Sequence, residues 1–499
     1  MKTPESTRHL LSKSTCMMGH QCTKRLWLYK NKPELRPEIS ASQQMVFTKG
    51  TNTGLLAQQL FSGGKDATPV DYFSYPQAIK QTYDWISNGE TIIYEAAFQY
   101  DRVMAALDIL VNKGGKWNAY EVKSSTEVKD HFILDAALQY YVITNSGLKL
   151  DDIFIIHLNN EYVRNGELDL KGLFTIESIK NDVLELQPFI QDMIADNKNV
   201  LLLKKEPFHQ IGLHCYDPYE CEFIEHCWSH IPDISVFNLS RLFWDKKFEL
   251  YYSGIVELHQ LPEEFPLTDS QKLQVKGHLE NYTHIDLDSI QEWLGQLQYP
   301  LFFMDFETFM PGVPLYNNSS PYQQIPFQFS VHQQNTENGP VTHSAFLGEP
   351  EIDPREDFLV QLIKATKGMG SVLVYNKAFE GARLRELQED FPKYKKEIDG
   401  ILTRILDLME PFQKKWYYTP EMNGSYSIKQ VLPALVPELN YDDLEIGEGG
   451  TAMAAFEGLL NIKEDAEKQK IRNALLEYCK LDTEAMVRIL EKLKTIDAN

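Results

Sequence analysis

The stretch from Ala106 to Ser125 constrains the fold most, because two runs of strand-forming residues flank a pair of glycines. Gly114-Gly115 suits a two-residue turn with positive φ, so the flanking runs predict a β-hairpin. If the turn is centred between the glycines, Asp108 lies directly opposite Glu121 on one face of the hairpin. Lys123 lies on the same face, because side chains along a strand alternate with period two.

Two carboxylates that face each other repel, and a bound divalent cation relieves that repulsion. Mg²⁺ and Mn²⁺ prefer hard oxygen ligands, and a neighbouring lysine would stand close to an attacking water or a scissile phosphate. The alternative is a solvated face, since surface hairpins commonly carry cross-strand Asp, Glu and Lys. Spacing alone leaves both interpretations open.

Asp108, followed by Glu121-x-Lys123 at the end of the second strand, resembles the PD-(D/E)XK nuclease core. The resemblance is to the form found in RecB-type nucleases and CRISPR-associated RecB-like adaptation nucleases. It implies that Asp108 and Glu121 hold the metal and that Lys123 assists the nucleophile. The glutamine-tyrosine motif that this family carries on its next helix is matched by Gln139-Tyr140. Glu95, on the preceding strand, is a further acidic candidate.

The length of 499 residues is too great for one ordinary core and predicts two to four domains. A hydrophobic content of 43% and an aromatic content of 12% are typical of compact globular domains. No stretch reaches the roughly 18 apolar residues of a membrane helix, and the N-terminus lacks an apolar signal core. The sequence therefore predicts a soluble cytoplasmic protein with no membrane partner.

The net charge of −22 argues against a protein that coats nucleic acid non-specifically, because phosphate contacts need Lys and Arg. It does not exclude a nuclease, since metal-binding carboxylates are themselves negative. Residues 1–36 are locally basic, with eight Lys or Arg against two Glu. Together with Trp27 and Tyr29, this segment either follows a nucleic-acid backbone or forms a solvated helical face.

Five of the six cysteines fall into two clusters that flank the hairpin from far away in the sequence. The clusters are Cys16 and Cys22, and Cys215, Cys221 and Cys227. Without a signal peptide, metal ligation is favoured over disulfides. The gaps in the second cluster are longer than those of zinc knuckles, so spacing does not identify a metal. Incidental buried cysteines are the alternative.

The cysteine arrangement resembles that of iron-sulfur members of the RecB-like group, which place one ligand before the nuclease core and three after it. The resemblance implies a 4Fe-4S cluster, with zinc as the alternative metal. Cys22 is favoured over Cys16 as the N-terminal ligand. The implied ligands are Cys22, Cys215, Cys221 and Cys227. Such a cluster would join two ends of a domain that closes near Pro232.

A second group of acids begins where the apolar strand Leu301–Phe306 runs into Asp305-Phe306-Glu307. Asp305 and Glu307 share one face of that strand, where an unpaired pair of buried carboxylates is costly. Tyr478 and Asp482 lie about one turn apart on a helix predicted from about 468 to 493.

The order of these motifs resembles the three exonuclease motifs of DnaQ-like, RNase H-fold 3′-to-5′ exonucleases of the DEDDy type, over residues 298–495. The resemblance implies that Asp305, Glu307 and Asp482 are metal ligands and that Tyr478 orients the attacking water. The second motif of the family presents Asp, where this chain has Glu380, which is one methylene longer. Asp407 is an alternative acid, but a role in capping or solvating a helix is favoured for it. The alternative role for Tyr478 is core packing.

Hydrophobic periodicity predicts helices over 40–62, 76–88, 128–144, 176–198 and 355–367, and strands over 152–159, 301–306 and 371–375. The predicted fold class is α/β with two domains. Residues 1–232 form a PD-(D/E)XK restriction-endonuclease-like domain and residues 298–499 an RNase H-like exonuclease domain. Residues 233–297 form a helical connector.

Together these resemblances imply a metal-dependent nuclease that acts on nucleic acid, with DNA favoured over RNA, and that serves DNA repair or defence. Its second site would be a 3′-to-5′ exonuclease. The alternative function is a non-catalytic nucleic-acid-binding or assembly module that retains nuclease folds as scaffolds.

Overall fold

The computed structural model describes residues 9–441 and 444–496, except for the side chain of Tyr72. The first eight residues of the basic N-terminal segment therefore lie outside the described part. The chain forms two compact units. Unit 1 comprises Met1–His230 and Pro311–Tyr322, and unit 2 comprises Ile231–Met310 and Gln323–Asn499. Among the described helices, none has both the length and the apolar character that crossing a bilayer requires.

Unit 1 is a mixed α/β structure. Its strands are β1 (Leu11–Ser12), β2 (Lys65–Asp66), β3 (Ile92–Tyr100), β4 (Val103–Lys113), β5 (Lys116–Lys123), β6 (Leu150–Leu158) and β7 (Phe174–Ser178). Its helices are α1 (Lys13–Gln21), α2 (Thr23–Asn31), α3 (Ala41–Gln58), α4 (Tyr75–Ser87), α5 (Asp130–Asn145), α6 (Leu170–Leu173), α7 (Lys180–Glu185), α8 (Gln187–Leu201) and α9 (Ile224–Trp228).

The sheet of unit 1 has the order β2-β3-β4-β5-β6-β7, and β1 pairs with β4. Strands β3, β4 and β5 form an antiparallel meander, β6 joins β5 in parallel, and β7 closes the edge antiparallel to β6. Alternating side chains feed two apolar clusters, with Leu110 and Ala119 in one and Ile109 and Tyr120 in the other. The first cluster packs against α1, α4, α5 and α8, and the second includes Ala57 of α3.

The prediction of a single helix over 176–198 was wrong. Ile176 lies in β7, where it pairs with Ile156 of β6, and the helical part is divided into α7 and α8 around Leu186. The physical reason is tertiary. Without β7, the edge of β6 would have unpaired backbone groups, and the segment Phe174–Ser178 satisfies them by pairing.

Unit 2 is also a mixed α/β structure. Its strands are β8 (His284–Ile285), β9 (Leu301–Phe309), β10 (Ile325–Gln334), β11 (Val341–Leu347), β12 (Val372–Val374), β13 (Ile405–Asp407) and β14 (Tyr417–Tyr418). Its helices are α10 (Trp244–Tyr252), α11 (Asp269–Glu280), α12 (Leu287–Leu294), α13 (Arg355–Ala365), α14 (Lys377–Asp390), α15 (Lys395–Leu402), α16 (Glu410–Gln413), α17 (Ile428–Leu435), α18 (Gly449–Gly458) and α19 (Asp465–Lys494).

The main sheet of unit 2 has the order β11-β10-β9-β12-β13. Strands β11, β10 and β9 are antiparallel neighbours, and β12 and β13 extend the sheet in parallel. Residues of β9 alternate between two clusters: Phe302 packs with helix α13 on one face, and Phe303 packs with helix α19 on the other. Asp305 and Glu307 follow Phe303 with period two, so the fold directs both acids towards α19.

Candidate functional site

The hairpin that carries the first group of acids forms as predicted. Strands β4 and β5 pair in the register Ile109↔Tyr120 through Lys113↔Lys116, and both turn glycines have positive φ, of 63° and 86°. Asp108 lies one residue beyond the Ile109↔Tyr120 pair, and its Oδ2 accepts a hydrogen bond of 2.6 Å from the backbone N–H of Val122. The hairpin therefore brings Asp108 and the Glu121 segment to the same end.

Glu121 lies at the centre of this group and is only 2% exposed. Its Oε1 accepts from Lys13 Nζ at 2.7 Å and from Lys123 Nζ at 2.8 Å, and its Oε2 accepts from Gln139 Nε2 at 2.6 Å. Burial opposes ionisation, but the charges of Lys123 and Lys13 outweigh it and hold the pKa of Glu121 well below its usual value. Glu121 is therefore an anion fixed from three directions.

The pKa values of Asp108 and Glu95 shift in the opposite direction to that of Glu121. Burial, then the charges of Glu121 and Glu95, raise the pKa of Asp108 well above its usual value. Burial, then the charge of Glu121, raise the pKa of Glu95 to about 7. Glu95 also has a φ of 51°, in the left-handed region where a non-glycine residue is strained by about 1–3 kcal/mol. The crowding of these carboxyls makes the group suited to a cation.

Two members of this group, Lys13 and Asp135, were not predicted from the sequence. Asp135 Oδ2 lies 2.6 Å from Lys123 Nζ and 3.2 Å from Lys13 Nζ. Asp135 is one helical turn before Gln139 on α5, so the helical period was a signal for it. Lys13 precedes Glu121 by 108 residues, and no local pattern connects the two. We call Lys13, Glu95, Asp108, Glu121, Lys123, Asp135 and Gln139 the acid-lysine cluster.

The predicted cysteine ligands line one cavity of unit 1, which we call the cysteine cavity. Its lining includes Cys22, Cys215, Cys221 and Cys227, together with His209 and His214. Cys16 lies elsewhere, fully buried in the core, with its backbone carbonyl bonded to Asn197. The structure thus groups Cys22, rather than Cys16, with the three later cysteines.

Polar contacts between distant segments hold the cysteine cavity together. Gln21 Nε2 donates to the carbonyls of His214 and Tyr219, both at 2.7 Å. Arg25 Nε donates to Glu222 at 2.7 Å. These bonds tie the end of α1 and the start of α2 to the loop that carries the later cysteines, across about 200 residues of sequence.

The donor atoms in the cysteine cavity suit a soft or borderline metal. Burial raises the thiol pKa of Cys22 and Cys227, and raises that of Cys221 to about 12, so a bound cation is needed to hold them as thiolates. One donor atom each from Cys22, His209 and His214 lies within 4.8 Å of the others. Four thiols fit an iron-sulfur cluster, and the mixed set fits zinc. The histidines were missed by the sequence analysis, which considered only cysteines.

In unit 2 the second group of acids converges. Oxygen atoms of Asp305, Glu307 and Asp482 lie within 4.8 Å of one another, although β9 and α19 are far apart in sequence. Glu307 is 9% and Asp482 is 7% exposed. We call these three residues the acid triad. Hard oxygen donors at this separation are suited to Mg²⁺ or Mn²⁺.

The pKa values of all three carboxyls in the acid triad are raised. Burial, then the charges of Asp482 and Glu307, raise the pKa of Asp305 well above its usual value. Burial and the charge of Asp482 raise the pKa of Glu307 to about 8. Burial raises the pKa of Asp482 to about 7, although Tyr441 and Lys429 oppose the shift. The carboxyls can ionise together near neutral pH only if a cation compensates them.

Glu380 and Asp407, the two candidates for the remaining acid, have different environments. Glu380 on α14 is 2% exposed, its Oε2 is buried without a hydrogen-bond partner, and burial raises its pKa to about 8. Its charge acts on Asp305. Asp407 accepts from the backbone N–H groups of Asn376, Lys377 and Met409 at 3.0 to 3.2 Å. Of the two roles expected for Asp407, capping or solvating a helix, these bonds support capping of the start of α14, and Glu380 is the acid whose Oε2 is buried without a hydrogen-bond partner.

Tyr478 lies in the same region as the acid triad, next to two residues that the sequence analysis missed. Burial, then the charge of Asp482, raise the pKa of the Tyr478 phenol, so it acts as a neutral hydroxyl. The hydroxyl of Tyr441 donates to Asp482 Oδ1 at 2.7 Å. The Lys429 ammonium lies 5.7 Å from the centre of the Tyr441 ring and 6.0 Å from that of Tyr478. No spacing rule relates Tyr441 or Lys429 to the predicted motifs.

Comparison with known proteins finds one family model and two relatives that match part of this chain. Residues 302–427, which include Asp305, Glu307 and Glu380, match the model of a domain of unknown function, DUF2779. The chain is 29% identical over 213 residues to the uncharacterized protein UU173 of Ureaplasma parvum serovar 3, covering 38% of this chain and 30% of that protein. It is 27% identical over 206 residues to the uncharacterized protein MG366 of Mycoplasma genitalium, covering 38% and 31%. The chain thus spans about three tenths of the length of these relatives.

Proposed function

We propose that this protein is a metal-dependent nuclease, with a 3′-to-5′ exonuclease site in unit 2 and a RecB-like site in unit 1. The observation that carries the proposal is the acid triad. Three carboxyls, of which Glu307 and Asp482 are buried and Asp305 is half-buried, come together from a strand and a distant helix and are costly unless cations neutralise them. Such a set is what phosphodiester hydrolysis by bound metal ions requires.

The topology of unit 2 supports an RNase H-like fold of the DnaQ type. Three antiparallel strands are followed by two parallel ones, in the order β11-β10-β9-β12-β13. The acids lie on β9, which is the first strand of this sheet along the chain, on α14 and on α19, which is the last helix. This is the order of the exonuclease motifs that the sequence resembles.

The metal ions, when bound, would supply Lewis-acid stabilisation of the phosphate and lower the pKa of the attacking water. Asp305, Glu307 and Asp482 would hold them, with Glu380 as the fourth acid. Tyr478, protonated near neutral pH, orients the water by hydrogen bonding. Lys429 supplies the positive charge that faces the substrate phosphate.

Unit 1 supports a PD-(D/E)XK core. The meander β3-β4-β5 is followed by α5 and then by the parallel strand β6. Asp108 and Glu121 would hold the metal ion, Lys123 assists the nucleophile, and Gln139 orients Glu121 through its bond to Oε2. The cysteine cavity would hold a 4Fe-4S cluster, with zinc as the alternative, which ties together the two ends of the domain.

Nucleic acid is the proposed substrate, with DNA preferred to RNA, and the cytoplasm is the proposed location.

The nuclease proposal is tested by incubating purified protein with 5′-labelled single-stranded DNA and RNA in Mn²⁺ or in EDTA. We expect the wild type to shorten the strands stepwise from the 3′ end in Mn²⁺. Asp305→Asn should abolish that ladder, and Asp108→Asn should remove any cleavage that persists when the 3′ end is blocked.

The matched control is Glu467→Ala, which removes an exposed carboxylate from α19, the helix that carries Asp482. It should leave both activities unchanged. Identical cleavage by the wild type and both Asn variants, insensitive to EDTA, would contradict the proposal.

One observation favours a second function, a non-catalytic nucleic-acid-binding or assembly module. In the acid-lysine cluster, Lys13 and Lys123 already neutralise Glu121 and Asp135 without a metal ion. A protein that retards DNA in a gel but never cleaves it, in Mn²⁺ or Mg²⁺, and whose binding is unaffected by Asp108→Asn would favour this function.

A further inference from the structure

The acid-lysine cluster contains two lysines, and Lys13 is the one that has no role in the function proposed above. Lys13 and Lys123 both donate to Oε1 of Glu121, at 2.7 and 2.8 Å. Both also contact Oδ2 of Asp135, at 3.2 and 2.6 Å. Two ammonium groups and two carboxylates thus alternate around a shared centre.

The backbone holds Lys13 rigidly at this position. Leu11 and Ser12 form β1, which pairs in parallel with Val103 and Met104 of β4. The Ser12 side chain then caps α1 by accepting from the N–H of Thr15 at 3.3 Å. Because Lys13 is the first residue of α1, strand pairing and capping together fix its direction towards Glu121.

The two lysines share Glu121 and Asp135 but differ in their other neighbours. Lys123 lies closest to Asp135 and also 5.3 Å from the centre of the Phe132 ring, so it belongs to the α5 side. Lys13 is the lysine whose charge opposes the raised pKa of Asp108 and Glu95, after burial and the neighbouring carboxylates have raised it. Of the two lysines, Lys13 is therefore the one whose charge acts on Asp108, the acid that would share a metal ion with Glu121.

The charges of the cluster support the same conclusion. When Glu95, Asp108, Glu121 and Asp135 are all ionised, Lys13 and Lys123 leave two negative charges uncompensated, which one divalent cation balances. Removal of Lys13 would leave three negative charges uncompensated. A cation would then bind at a more negative site, and the Lys13 ammonium would no longer compete with it for Glu121 Oε1.

We propose that Lys13 is a second functional lysine of the unit 1 nuclease site, which competes with the metal ion for Glu121 and contacts the substrate phosphate. This inference rests on the proposed nuclease function. The Lys13 side chain is 23% exposed, and its ammonium is paired with Glu121. If Lys13 only stabilised the site, its presence would favour both Mn²⁺ binding and cleavage. If Lys13 competes with the metal ion, its presence weakens Mn²⁺ binding but accelerates cleavage.

The experiment uses the full chain in an Asp305→Asn/Asp482→Asn background, which silences the unit 2 site. Mn²⁺ binding is titrated by electron paramagnetic resonance, and cleavage of 3′-blocked DNA is followed separately. For Lys13→Met we expect Mn²⁺ to bind about tenfold more tightly and kcat to fall about 100-fold. Lys13→Arg keeps the charge and should restore wild-type Mn²⁺ affinity and part of kcat.

The matched control is Lys116→Met, which removes an exposed lysine from β5 of the same hairpin and should change neither quantity. Unfolding is monitored by circular dichroism, and Lys13→Arg tests the proposal if Lys13→Met does not fold. Unchanged or weaker Mn²⁺ binding by Lys13→Met in an active nuclease would overturn the role of Lys13 alone. A background protein that binds Mn²⁺ but cleaves nothing would overturn the unit 1 nuclease function, and with it the phosphate contact.

Discussion

The hydroxyl of Tyr441 donates a hydrogen bond to Asp482, with 2.7 Å between the two oxygens. This bond holds the carboxylate that α19 contributes to the acid triad, and it opposes the rise that burial causes in the pKa of Asp482. Tyr441 therefore positions a proposed metal ligand, while Tyr478, in edge-to-face contact with it at 6.3 Å, is the residue proposed to touch the water.

Replacement of the two tyrosines should separate these roles. Tyr441→Phe frees Asp482, so we expect Mn²⁺ binding by unit 2 to weaken and the exonuclease kcat to fall about tenfold, with a loss of about 1 kcal/mol in stability. Tyr478→Phe should lower kcat about 100-fold while leaving Mn²⁺ affinity unchanged. Calorimetric Mn²⁺ titration and single-turnover cleavage measure both. The same loss of affinity in the two variants would contradict the division of roles.

Lys429 should control substrate binding and the ionisation of the acid triad. Its charge lowers the pKa of Glu307 and of Asp482 against the effect of burial. We expect Lys429→Gln to raise KM about tenfold and to move the acid limb of the pH-rate profile to higher pH, because both acids lose a stabilising charge. Lys429→Arg should retain the wild-type profile, and Lys492→Gln, on the exposed face of α19, serves as the control. A KM and an acid limb that do not change would exclude this role.

The metal-free protein should become less stable as the pH rises. The pKa of Glu307 is about 8 in the folded state and ordinarily 4.5, so the folded form binds more protons than the unfolded form between these values. The stabilisation is complete below about pH 4.5 and is lost as the pH rises through about 8, with a magnitude of about 5 kcal/mol. Melting temperatures in EDTA between pH 5 and 8.5 measure it.

Glu307→Gln is the control for that pH dependence, because the amide does not titrate. We expect its melting temperature to fall less steeply with pH than that of the wild type, and we expect Mn²⁺ at pH 8 to raise the melting temperature of the wild type only. Parallel curves for the two proteins would mean that Glu307 does not titrate as the structure indicates.

The cysteine cavity should lose its metal with Cys22 but not with Cys16. Cys22→Ser removes a cavity thiol, whereas Cys16→Ser changes a core residue outside the cavity. After anaerobic purification we expect the wild type and Cys16→Ser to contain iron and to absorb at about 400 nm, and Cys22→Ser to lose both. Colourless wild-type protein that contains zinc, and that loses it in His209→Ala, would replace the cluster with a mixed zinc site. Retention of the metal by Cys22→Ser would contradict both assignments.

Local patterns in the sequence determined the parts of each site that lie on one element or one hairpin. The Gly114-Gly115 turn sets the register that brings Asp108 and the Glu121 segment together, because a two-residue turn leaves one pairing for the strands that flank it. The helical period likewise places Tyr478 and Asp482 on one face of α19. These relationships depend on backbone geometry over a few residues.

Tertiary structure alone decided which residues from distant segments complete the sites. Lys13 reaches Glu121 because β1 pairs with β4, and Tyr441 reaches Asp482 because the fold brings its loop to α19. The helical pattern over 176–198 was overridden at Ile176 by the open edge of β6. Such contacts depend on burial and on pairing between segments that are far apart in the chain. A short stretch of sequence therefore does not predict them.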